Sequence, residues 1–221
     1  LISVKQISFG FLKRMSSYTI MALFSAVILP LVLLAIRNYI IDNIGYKDAG
    51  FWEAMTRISK YYLMLVSSLM ALYILPRFNE IDGIKEFRKE VFSFYKTVMP
   101  IFGLGLIIIY FLKPFIVLGV FSNEFQPVED LFFWQLLGDF VKVLSLVIAY
   151  QFLAKKMFWH YIVTEAFLVI MLYLTSIHFI NLYGVKGAVM AHFASYLLYY
   201  GIVLLIFGSS LFGVDATKNN N

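Results

Sequence analysis

DLFFWQLLGDFVKVLSLVIAYQFLA, residues 130–154, is the stretch on which the fold turns. A helix needs about 20 mostly apolar residues to cross the hydrocarbon core of a bilayer, and this stretch is long enough. It nevertheless carries an amide, a carboxylate and an amine at Gln135, Asp139 and Lys142, spaced to share one helical face. A charged side chain at the bilayer centre costs about 2.5–3.5 kcal/mol on insertion scales, so such residues mark a polar cavity, a pathway or a paired network.

Five further segments have the same character. With 130–154, the apolar runs at 17–41, 52–76, 92–112, 158–180 and 187–208 predict six transmembrane helices. An open strand would leave its backbone unpaired in lipid, so the fold class is all-α, a polytopic helical bundle. Turn chemistry separates the spans at Asp42-Asn43-Ile44-Gly45, Asp82-Gly83, Ser122-Asn123 and Tyr183-Gly184, and Pro76 is expected to end the second. In the third, Lys113-Pro114 interrupts a run that stays apolar to Phe121, and the remainder reads as an interfacial segment.

Composition agrees. In 221 residues, 62% are hydrophobic and 14% charged, and the mean hydropathy is +0.83, outside the range of soluble domains. The net charge of +5 does not indicate nucleic acid, because several cations lie inside apolar runs rather than on a solvated basic face. Cysteine is absent, so disulfides and thiolate metal sites are excluded. His160, His178 and His192 are widely separated, and each is expected to pack or to sit at an interface rather than to hold a metal.

The positive-inside rule sets the orientation. With the N-terminus in the cytoplasm, Lys5, Lys13, Arg14, Arg77, Lys85, Arg88, Lys89, Lys155, Lys156 and Lys218 lie inside, against Lys47, Lys113 and Lys186 outside. Both termini are then cytoplasmic. Residues 77–90 mix both signs of charge with apolar residues at Ile81, Ile84 and Phe87, as a surface helix or a solvated connector would. The chain starts at Leu1, and Lys13-Arg14 leads into a run too long for a signal-peptide core. It therefore reads as a fragment lacking its natural N-terminus, with residues 1–221 forming one six-helix unit.

The embedded charges need partners. Arg57, Lys60, Asp139, Lys142 and Glu165 would together cost about 15 kcal/mol if all faced lipid, which rivals a domain's entire stability. Glu53, Arg57, Lys60, Met64, Ser67 and Ala71 recur at intervals of three and four and form one stripe. Gln135, Asp139 and Lys142 form a second, and the two stripes are expected to face one space. Glu53–Arg57 and Asp139–Lys142 also fit as neutral intrahelical pairs. Arg37 and Lys96 lie near span ends, where long side chains reach the headgroups. Counting Arg37 and Lys96, five cations against Glu53, Asp139 and Glu165 leave a surplus of two, which suits an anionic ligand.

The segment Asp130-Leu131-Phe132, Trp134-Gln135-Leu136, Gly138-Asp139, Lys142-Val143 resembles a helix of the bacterial O-antigen translocases and enterobacterial-common-antigen lipid flippases. These lie within the multidrug/oligosaccharidyl-lipid/polysaccharide exporter superfamily. Further likeness lies at Ile36-Arg37-Asn38, Gly50-Phe51-Trp52, Ser59, Tyr62-Leu63, Tyr73, Leu75-Pro76 and Glu165. The resemblance implies the C-terminal six-helix lobe of a two-lobe transporter, with the N-terminal lobe absent. It implies movement of undecaprenyl-diphosphate-linked oligosaccharide, an O-antigen-type repeat unit, to the periplasmic leaflet of the inner membrane by alternating access.

On that footing Arg37, Arg57, Lys60 and Lys142 are expected to contact the diphosphate. Glu53 and Asp139 would orient them, and Asn38, Ser67 and Gln135 would supply neutral hydrogen bonds. Glu165 is either a proton carrier or a hydrogen-bonded structural carboxylate. No cofactor is expected; a proton or sodium gradient is the candidate energy source, and polysaccharide polymerase machinery a candidate neighbour. An ion-coupled drug exporter of the same superfamily is the alternative, ranked second because its cavity should carry surplus acid. A membrane scaffold or a glycan enzyme ranks lower, since no metal or acid–base constellation is apparent.

Overall fold

The structure, a computed structural model, describes residues 9–213, with side chains from residue 19 onward. Lys5 and Lys218 lie outside the described residues, as do the side chains of Lys13 and Arg14. Seven α-helices follow in order: α1 (Phe9–Asn43), α2 (Tyr46–Leu69), α3 (Leu75–Glu80), α4 (Ile84–Val120), α5 (Phe132–Ala154), α6 (Phe158–Tyr183) and α7 (Val185–Phe212). A π-helical segment, Met70–Ile74, joins α2 to α3, and a 3-10 segment, Asn123–Leu131, precedes α5. Six helical stretches among the described residues are long and apolar enough to cross a membrane.

Two boundaries differ from expectation. The second span does not end at Pro76 but continues to Glu80. A proline ring clashes with the carbonyl four residues earlier, here Leu72, and that carbonyl lies in the wider π turn, so the chain stays helical. Likewise α4 runs unbroken through Lys113-Pro114 to Val120 rather than changing to a separate interfacial segment. Leaving the helix in lipid would expose unpaired backbone groups, so proline is tolerated there. The segment 84–91 forms the first turns of α4, with Phe87 and Val91 buried.

The expected turns hold. Gly45 and Gly184, at φ 135° and 63°, occupy backbone conformations that a side chain would strain and reverse the chain between spans. At one end of the bundle the basic residues lock neighbouring segments together. Arg77 pairs with Glu90 at 2.9 Å, and Lys155 donates to the Ile81 carbonyl and pairs with Asp82 at 3.3 Å. Arg88 donates to the carbonyls of Ser210 at 3.2 Å and Gly213 at 2.6 Å, closing the C-terminal end of α7. Arg88→Ala should free those carbonyls and speed amide exchange of residues 209–213 about fivefold relative to the middle of α7, as mass-spectrometric hydrogen exchange would show.

Packing falls into two apolar cores along the bundle. One, at the Arg88 end, gathers Phe78, Phe87, Val143, Phe152, Tyr196 and Phe207. The other, toward Gly45 and Gly184, gathers Ile40, Met55, Ile58, Leu131, Leu136 and Val189. Helix α5 passes from the second core at Leu136 to the first at Val143, α2 from Ile58 to Leu63, and α7 from Val189 to Tyr196. Each of these crossings carries polar residues, Asp139 on α5, Ser59 and Tyr62 on α2 and His192 on α7, and they converge. Small residues allow the close approach that such helices need: α7 passes so near α6 that a Cβ on Gly187 would overlap the Phe179 carbonyl.

Candidate functional site

Asp139 lies between the two cores and is fully buried. From α2, Ser59 Oγ donates to its carboxylate at 2.6 Å, and so does the Tyr62 hydroxyl. Gln135, one turn earlier on α5, donates through Nε2 at 3.2 Å to Oδ2 and 3.3 Å to Oδ1. From α7, His192 Nε2 meets Oδ1 at 2.9 Å. Three helices are thus tied to one carboxylate. A buried carboxylate is tolerated only when its oxygens are hydrogen-bonded, and both oxygens of Asp139 are.

Gly138 makes room for this arrangement, because a Cβ there would overlap the His192 ring and stand 3.1 Å from the Phe193 amide nitrogen. His192, expected to pack or to sit at an interface, is therefore the polar partner that α7 contributes. A signal for it exists on α7, where Ala188, His192, Ser195 and Tyr199 recur at helical spacing and bring small or polar groups to an inner face.

The expected Asp139–Lys142 pair is not the arrangement found. The Asp139 hydrogen bonds go to α2, α7 and Gln135, while the Lys142 ammonium lies over the Tyr196 ring, 5.2 Å from its centroid. Glu165, on α6, accepts from Ser25 of α1 at 3.3 Å, and Ser25 meets the Tyr161 hydroxyl at 2.5 Å. Lys142 makes no direct ion pair with Asp139 or Glu165 and rests on the Tyr196 ring instead.

An interior cavity of about 110 Å³ adjoins this network. Lys60 of α2, Gln135 and Lys142 of α5, Ser176 of α6 and His192 and Tyr196 of α7 line it. The Ser176 hydroxyl is buried without a hydrogen-bond partner. Two amines, an amide, an imidazole and an unpaired hydroxyl thus open onto one small space. That set can bind an anionic, hydroxyl-bearing group.

The remaining expected residues lie elsewhere. Glu53 bridges Arg37 of α1 at 3.2 Å and Arg57 at 2.6 Å, and both arginines are exposed. Asn38 is also exposed and is not part of the cavity lining. Met64 and Ser67 on α2 and Ala71 in the π segment continue the Arg57–Lys60 stripe and are exposed. The two stripes therefore do not share one space throughout: only Lys60 joins Gln135 and Lys142. The reason is rotational, since Ser59 and Tyr62 occupy the inward face of α2 and turn the charged stripe away. Among the described residues, no group of three or more His, Asp or Glu side chains is placed to hold a metal ion.

The chain is similar to the lipid III flippases of Escherichia coli (strain K12) and Shigella flexneri. Each is 28% identical over 198 residues, covering 90% of this chain and 48% of the relative. The chain thus spans about half the length of the curated relatives it matches. No family model matches it. No solved structure matches it either. Ser59, Tyr62, Gln135, Gly138 and Asp139, all among the residues that carried the resemblance, are the ones that meet around the buried carboxylate.

Proposed function

We propose, from the likeness of this chain to lipid III flippases, that it is one six-helix lobe of a transporter that flips a lipid-linked oligosaccharide across the bacterial inner membrane. The cargo is an undecaprenyl-diphosphate-linked repeat unit. Its headgroup passes between this lobe and a second of similar size by alternating access, while the prenyl chain stays in lipid. The match to 48% of each relative supports a two-lobe arrangement. The Arg88 end faces the cytoplasm, in keeping with the excess of basic residues there.

The observation that carries this reading is the pair of amines, Lys60 and Lys142, lining one interior cavity beside Gln135. Asp139 is not part of that cavity's lining, and its oxygens are taken up by Ser59, Tyr62, Gln135 and His192 rather than by Lys60 or Lys142. An entering diphosphate thus meets cations whose attraction is strengthened by the low dielectric. Arg37 and Arg57 lie on the outer faces of α1 and α2, where they attract the anionic headgroup before it reaches Lys60. A proton or sodium gradient drives the cycle through Glu165, the carboxylate that α6 presents to Ser25 of α1. The work is transport rather than bond-making.

The reading is tested in a strain that displays its surface glycan only when the intact protein is supplied. Lys60→Ala with Lys142→Ala should lower display by about 10- to 100-fold, the value of one or two charged hydrogen bonds. Arginine at both positions should restore most of it. Full display from the double alanine variant, at equal protein level, would remove the assigned role.

A further inference from the structure

A second site lies on the opposite face of α5. Helices α4 and α5 enclose an apolar groove of about 560 Å³, lined by Gly103, Ile107, Tyr110, Phe133, Leu137 and Phe140 among others, with no charged residue in the lining. Gly103 forms its floor, where a Cβ would stand 3.3 Å from the Phe140 ring. From Gly103 to Lys113 the helix rises about 15 Å, half of the roughly 30 Å hydrocarbon core. The α4 lining ends at Phe111, so groove and lysine together span about one leaflet.

Beyond the last lining residue of α4, Lys113 meets the segment that carries the acidic residues. Lys113 places its ammonium 4.9 Å from the centroid of the Tyr110 ring that lines the groove, and 3.4 Å from the Glu129 carbonyl oxygen. The 3-10 segment carrying Glu124, Glu129 and Asp130 packs against α4. Pro114 has no N–H to offer the Tyr110 carbonyl, which leaves an acceptor at the same level. A cation held by the backbone of a segment that carries Glu124, Glu129 and Asp130, together with a free carbonyl, complements a headgroup with one phosphate and one primary ammonium. A headgroup of net negative charge would gain the lysine and be repelled by the acids.

We propose that this groove is a binding site for one zwitterionic aminophospholipid, its acyl chain along Phe140 and Ile107, its phosphate on Lys113 and its ammonium on Glu129 and Asp130. The lipid wedges α4 against α5 on the side away from the interior cavity, so its occupancy sets the angle at which α5 presents Gln135 and Lys142. The site does not depend on what the transporter carries.

Native mass spectrometry of the intact protein, released from mild detergent with equimolar dioleoyl phosphatidylethanolamine and phosphatidylglycerol, tests it. One phosphatidylethanolamine should be retained with at least about fivefold preference. Ile107→Trp should abolish retention by filling the groove, and Lys113→Ala should reduce the preference to parity. Leu205→Trp, on the exposed face of α7, should change neither. Equal or better retention of phosphatidylglycerol, retention of neither lipid, displacement by an added polyprenyl phosphate, or indifference to Ile107→Trp would each overturn the proposal.

Discussion

Asp139→Ala should lower the thermal midpoint of the protein by about 6–20 °C. Removing one partner from a buried charged network costs about 3–5 kcal/mol, and each kcal/mol shifts the midpoint by about 2–4 °C in a chain of this size. The cost is large because the carboxylate is the common acceptor for Ser59, Tyr62, Gln135 and His192, so its loss breaks hydrogen bonds from three helices at once. Asp139→Asn keeps one oxygen acceptor and should cost about half as much. Thermal unfolding in detergent checks the series. A midpoint unchanged in the alanine variant would mean that the carboxylate does not hold α2, α5 and α7 together.

Gly187→Ala should be the second most damaging change, although it adds a single methyl group. The new carbon would fall within the Phe179 carbonyl, and a backbone group cannot rotate away as a side chain can. The first turn of α7 must then move off α6, opening the pair beside Ala188 and Ile180, both buried in the second core. Overpacking of this kind costs about 1–3 kcal/mol, and the displaced α7 carries His192 with it. Asp139 would lose its imidazole partner as a consequence. Gly201→Ala provides the control, since a Cβ there meets nothing within 4 Å. It should leave unfolding unchanged and slightly favour the helix.

The six spans were legible because length and apolar content settle the fate of a segment in lipid almost unaided. Helix ends were less legible. Pro76 and Pro114 carry stop signals calibrated on water, where a freed carbonyl finds a solvent partner; in a bilayer the chain remains helical instead. Gln135 and Asp139 announced themselves as polar groups in an apolar run. Their partners did not, because Ser59 lies 80 residues from Asp139 and His192 lies 53. Only the rotation of α2 and α7 about their axes decides that these side chains, rather than Arg57 or Lys142, meet the carboxylate. Lys142, three residues from Asp139, seemed its natural partner, yet the aromatic face of Tyr196 holds it.

The account rests on Lys60 and Lys142 drawing a diphosphate headgroup into the cavity between α2, α5 and α7. It is tested most directly with the intact protein in vesicles holding a polyprenyl-diphosphate-linked oligosaccharide labelled on its sugar, by measuring how fast the sugar becomes accessible to a membrane-impermeant reagent. Wild type and the Lys60→Arg, Lys142→Arg double variant should expose the label at similar rates. The double alanine variant should be slower by at least about tenfold. Equal rates for wild type and the double alanine variant would contradict the account.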